Sequence, residues 1–130
     1  MKGLLDTSVF IAVESGRPLD EKRIPDESAV SVVTLAELQA GVLAAADVDV
    51  RARRLATLDA VGDIELIDID ESAARTWARM RVHLAESGGR LNVNDLWIAA
   101  VAASRGLAVV TQDEDFGPVE GVAGLQVIRV

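Results

Sequence analysis

Five acidic residues stand where the chain turns between predicted elements. They are Asp6 in LLDTSVFIA, Glu37 in SVVTLAELQAG, Asp95 in LNVNDLWIAAVAA, and Asp113 and Asp115 in VVTQDEDF. Carboxylates gathered from separate segments can converge on a cation, and hard divalent ions favour such an oxygen-only ligand set. Each acid also has a plainer reading. Asp6 could cap the helix that follows it. Thr7 and Ser8 could do so equally well, however, and an ionised acid directly after Leu4 and Leu5 needs a partner. Glu37 could complete a capping box with Thr34 as the cap. Asp95 could be a first-turn acid behind Asn92 or Asn94, favoured by the helix dipole. Asp113 and Asp115 could belong to a polar turn. With Glu114 they make three acids in a row, and no Lys or Arg occurs from Gly106 through Gln126. Such a run repels itself unless it is spread apart or paired with a cation.

The elements around these acids follow from the apolar pattern. Short runs rich in Val, Ile and Leu at Gly3–Asp6, Ala29–Val32, Ile64–Ile69, Leu107–Thr111 and Gln126–Val130 lack strict polar alternation, as strands buried on both faces do. Helical patterns separate them. They cover Ser8–Glu14, Leu35–Ala46 (with Leu35, Leu38, Val42 and Ala45 on one face), Val50–Val61 (with Leu55 and Leu58 inward), Glu71–Ser87 (with Trp77, Met80 and Leu84 inward) and Asn94–Arg105, which stops at Gly106. Strands alternating with helices predict an α/β fold, a three-layer α/β/α sandwich around a central parallel sheet. One domain over residues 1–130 is expected at this length. In such sheets ligands bind beyond the carboxyl ends of the strands. Asp6, Glu37, Asp95 and Asp113 could therefore meet at one edge.

Composition removes several alternatives. There is no cysteine and one histidine, His83, so disulfides, thiolate or histidine metal sites and a cysteine nucleophile are excluded. His83 reads as a surface or packing residue. Trp77, Trp97 and Phe116 read as core or interface residues, because they are too dispersed for a base-stacking platform. Gly88-Gly89 lacks the following Gly-Lys-Ser/Thr of a phosphate loop. The formal net charge of −8 argues against a polyanionic partner unless the acids converge on a cation. The first residues carry only a short apolar run broken by Asp6. No signal peptide or membrane span is expected, and a reducing cytoplasm is.

Taken together, the four motifs, in this order and spacing, resemble the PIN-domain family, and within it the VapC-type toxins. LLDTSVFIA resembles the opening strand with its first acid, and SVVTLAELQAG the second motif, with Glu37. LNVNDLWIAAVA resembles the third, with Asn94-Asp95. VVTQDEDF resembles the fourth, where Asp113 matches the usual ligand position and Asp115 is the lesser candidate. The resemblance implies that Asp6, Glu37, Asp95 and Asp113 form an acidic pocket for Mg²⁺ or Mn²⁺, with Thr7 and Thr111 orienting the carboxylates. It implies a metal-dependent endoribonuclease that cuts tRNA or ribosomal RNA, leaves a 5′-phosphate and arrests translation. The implied partners are a cognate VapB-type antitoxin and a second copy of the chain. Two other classes fit the residues less well. A phosphatase-like hydrolase with an aspartate nucleophile would need a second Asp two residues after Asp6, which LLDTS lacks. A catalytically silent PIN-fold module that only docks a protein would not need all four acids.

For RNA contact, Arg90 in the glycine-bearing loop before Asp95 is the leading cation, with Arg17, Lys22 and Arg23 as a second patch. A groove between the Ser8–Glu14 and Leu35–Ala46 helices is the expected dock for an antitoxin segment.

Overall fold

The computed structural model describes all residues from Met1 to Val130. Its main elements run β1 (Lys2–Leu5), α1 (Thr7–Glu14), β2 (Glu27–Ser31), α2 (Val32–Ala44), α3 (Val48–Val61), β3 (Glu65–Ile67), α4 (Glu71–Ser87), α5 (Val93–Ser104), β4 (Ala108–Thr111) and β5 (Val127–Arg129). The five strands form one sheet in the order β3-β2-β1-β4-β5, and every pairing is parallel. All carboxyl ends therefore lie along the same edge, and β1 sits at the centre with β4 beside it.

The pleat divides the core in two. Leu5, Val30 and Val110 point to one face, where they pack with Val9 and Phe10 of α1, Leu38 of α2 and Val61 of α3. Leu4, Ala29 and Val109, one residue earlier in each strand, point to the other face, against Met80 and Leu84 of α4 and Ile98 of α5. This is the three-layer sandwich that the apolar strand runs predict. Phe116 is fully buried in the second layer, and Trp77 stacks on Trp97 with ring centroids 5.1 Å apart. No helix is long and apolar enough to cross a membrane.

Three local expectations are corrected. Asp6 lies just beyond β1. Its carboxylate caps α1, accepting from Ser8 N at 3.4 Å. Secondly, α2 begins at Val32 rather than Leu35. Its cap is Ser31, whose Oγ accepts from Val33 N at 3.1 Å and Thr34 N at 3.4 Å. The Thr34–Glu37 capping box is not formed, and Glu37 sits in the second turn rather than the first. The strand ends one residue early because a buried Ser hydroxyl offers the helix a start that Val32 cannot. Finally, Leu55 is 46% exposed, while Leu58 and Val61 turn inward. The inward face of α3 instead includes Arg54, whose Nη1 donates to Gly41 O at 2.7 Å on α2.

Candidate active site

The carboxyl edge of the sheet collects the acids from four separate segments. Asp6 is at its centre, 2% exposed between the ends of β1 and β4. Ser8 Oγ donates to its Oδ2 at 2.7 Å and Thr111 Oγ1 donates to the same oxygen at 3.0 Å. Each hydroxyl has one proton, and both are given to Asp6, so the 3.1 Å approach of the two hydroxyls adds no further bond. Their lone pairs accept from the next strand end: Gln112 N donates to Ser8 Oγ and Asp113 N donates to Thr111 Oγ1, both at 3.0 Å. This network ties the end of β1 to the turn after β4. It fixes one oxygen of Asp6 and leaves Oδ1 for another partner.

The other acids are held in the same one-sided way. Thr7 Oγ1 donates to Glu37 Oε1 at 2.8 Å and lies 2.9 Å from Thr34 Oγ1. Asp95 is the third residue of α5. Asn92 caps that helix with its Oδ1, which accepts from Asp95 N at 2.8 Å, and its Nδ2 donates back to Asp95 Oδ2 at 2.9 Å. Thr7 and Thr111 thus bond carboxylates directly. Ser8 and Asn92 do the same, and Thr34 meets the Thr7 hydroxyl rather than a carboxylate. The signal for Ser8 was a second hydroxyl directly after a strand-end acid.

Electrostatics bind the set together. Burial pushes the Asp95 carboxyl up to about 7, and the negative charges of Asp6, Glu37, Asp115 and Asp113 add to the shift. Burial also raises Asp6, against the opposing hydrogen bonds from Ser8 and Thr111. Asp113 is raised by burial, then by Asp6 and Asp115, with the Arg17 guanidinium opposing. Glu114, between the two aspartates, leaves the group: its Oε2 pairs with Arg129 Nε at 2.9 Å. The cation that β5 brings from beyond Gln126 therefore relieves part of the three-acid run.

The donor set suits a hard cation. It is all oxygen, and Asp6, Glu37 and Asp95 each have one oxygen fixed by a protein donor. The charges felt at Asp95 are of the sign that a divalent ion would neutralise. As placed, no three of these side chains stand close enough together to enclose an ion.

Two clefts adjoin the acids. One, of about 530 Å³, opens beside Asp95 and is walled by Arg90, Leu91, Asn92, Asp115 and Pro118. A second, of about 280 Å³, runs between α1, α2 and α3 and is lined by Thr7, Ile11, Glu14, Glu37, Leu38 and Arg54. It lies where a groove between α1 and α2 is expected, and it reaches Glu37. His83 lies away from the acids, half-buried on α4 beside Arg79 and Glu86.

The PIN domain family matches residues 3–122. Ribonuclease VapC5 of Mycobacterium tuberculosis is 65% identical over 128 residues, spanning 98% of this chain and 95% of that protein. The tRNA(fMet)-specific endonuclease VapC of Shigella flexneri is 30% identical over 118 residues, 87% of each. Among solved structures, a member of the VapBC family of toxin–antitoxin systems, VapBC-5 from M. tuberculosis, superposes with a TM-score of 0.93 at 61% identity, covering 99% of this chain and 98% of that one. On this likeness across nearly its whole length, the chain belongs to the PIN-domain family and, within it, to the VapC ribonucleases.

Proposed function

We propose that this chain is a Mg²⁺- or Mn²⁺-dependent endoribonuclease, the toxin of a toxin–antitoxin pair. Acting in the cytoplasm, it cuts tRNA or ribosomal RNA and so arrests translation. The observation that carries the reading is that carboxylates from three other segments, Asp6, Glu37 and the Asp113–Asp115 turn, gather around Asp95 and add to the rise that burial already gives its carboxyl. A divalent ion bound there would activate a water and offset the charge that grows on the phosphate. Asp6, Glu37, Asp95 and Asp113 would hold it, with Asp115 at the rim. Ser8 and Thr111 keep Asp6 in place, Thr7 keeps Glu37 in place, and Asn92 aims Asp95, so one oxygen of each of these three ligands is already oriented. The buried floor of Leu5, Val110 and Thr111 keeps bulk water from beneath the acids.

The partner is an antitoxin that lays an apolar segment into the cleft between α1 and α2. Ile11 and Leu38 offer it apolar contact, and Glu37 at the cleft's end suits a basic side chain. A homodimer is the expected assembly.

The test is cleavage of purified tRNA and ribosomal RNA with Mn²⁺, with Mg²⁺ and with chelator. Asp6→Asn, Glu37→Gln, Asp95→Asn and Asp113→Asn should each lower the rate by about 100-fold or more, and Asp115→Asn by less than about tenfold. Near-full Mn²⁺-dependent cleavage by Asp95→Asn would sink the site assignment.

A further inference from the structure

The cavity beside Asp95 has only one cation in its wall. Arg90 is exposed, stands in the loop between α4 and α5, and belongs to none of the chain's ion pairs. The opposite wall carries Asp115, Pro118 and Glu114, and Glu114 is already paired with Arg129. Leu91 supplies apolar surface, and Asn92 has its amide committed to Asp95.

The loop that carries Arg90 is held in place. Gly88 ends α4 in the left-handed region at φ 72, which favours glycine. Gly89 lies flat against the facing wall: a Cβ there would come within 3.1 Å of Pro118 Cβ and 3.2 Å of Leu84 Cδ2. Two glycines thus let the loop press onto the turn after β4 and set the next residue, Arg90, at the cavity mouth.

We propose that this cavity is the subsite for the nucleotide next to the scissile phosphodiester, and that Arg90 grips that nucleotide's phosphate. The inference rests on the ribonuclease reading and adds a binding residue to it. A volume of about 530 Å³ is of the size that takes a small ligand such as one nucleotide. Its charges dictate the orientation. Among the side chains of the wall, Asp115 and Asp95 repel a phosphate and only Arg90 attracts one. The sugar and base are left to lie along Leu91 and Pro118. No aromatic side chain lines the cavity, so stacking contributes nothing there and the phosphate contact dominates.

The measurement is equilibrium binding of a fluorescein-labelled decauridylate over a KCl series. All proteins carry Asp6→Asn, which blocks cleavage in the proposed mechanism and preserves a helix cap. Arg90→Ala should weaken binding and reduce the magnitude of the log K against log [salt] slope by about 0.7, the value for one phosphate contact on a single strand. Arg90→Lys should restore the slope, since it restores a point charge. Arg79→Ala, an equal charge loss on the outer face of α4, should leave the slope as in the parent. A parental slope in Arg90→Ala, or an equal drop in Arg79→Ala, overturns the subsite even when the wild type cuts RNA. Failure of the wild type to cut any RNA with Mn²⁺, together with no binding of the decauridylate, overturns the ribonuclease reading and this inference with it.

Discussion

Asp95 ties the chemistry of the site to the stability of the fold. Its carboxyl titrates near 7 in the folded chain, whereas an unfolded aspartate titrates near 4. Between those values the folded state holds a proton that the unfolded state has released. Without metal, the stability that Asp95 contributes is therefore fully present below about pH 4, falls as pH rises toward 7, and is lost above. Asp95→Asn removes that titration and keeps an oxygen for Asn92. In chelator at pH 8 the variant should melt about 3–8 °C above the wild type, and at pH 4 the two should melt together. Thermal unfolding at both pH values checks this. A variant that melts lower at pH 8 would mean that the ionised carboxylate stabilises the fold, contrary to its surroundings. Asp113→Asn tests the neighbouring position by a different route. It accepts no hydrogen bond from the protein, so the amide should be tolerated in the fold and felt in catalysis.

The elements hold the acids through close contacts that small residues permit. Gly3, in the central strand, would place a Cβ 2.7 Å from Val110 Cγ2 and 2.8 Å from Pro25 Cγ. Gly3→Ala must push β1 from β4 or displace Pro25, at a cost of about 1–3 kcal/mol. Urea unfolding should show a lower midpoint with an unchanged m value. Because Asp6 and Thr111 lie at the ends of those two strands, cleavage should fall as well. An unchanged midpoint would mean that the sheet yields there freely. Much of this scaffold was legible in the residues. The strands were short Val- and Leu-rich runs, and Glu71–Ser87 had clear ends. What escaped the sequence was set by partners distant along the chain. The start of α2 depends on Ser31 being buried, so its hydroxyl caps the helix before Thr34 can. Leu55 faces outward because Arg54, not Leu55, turns toward Gly41 on α2. The acids themselves were recognisable, but that Arg129 draws Glu114 away from them could not be read from the QDED segment, since β5 brings that cation from the chain's end.

For the whole molecule, the net charge of −8 misleads as a guide to partners, because part of it is concentrated at one edge. A divalent ion should reverse the repulsion there. Wild type should gain melting temperature with Mn²⁺, equivalent to about 2.7 kcal/mol at a hundred times the dissociation constant, and Asp113→Asn should gain much less. Equal Mn²⁺ responses would remove Asp113 from the ligand set. The strand order has a further meaning in time. Asp6 must wait for Thr111, 105 residues later, and β1 for β4, which forms one whole side of its pairing. A ribosome adding about 5–20 residues per second releases Asp6 and Glu37 well before Asp95 and Asp113. Any product that stops short of Ala108 lacks the strand that completes the centre of the sheet. A nascent chain is thus disarmed by its own topology until its last strands have emerged.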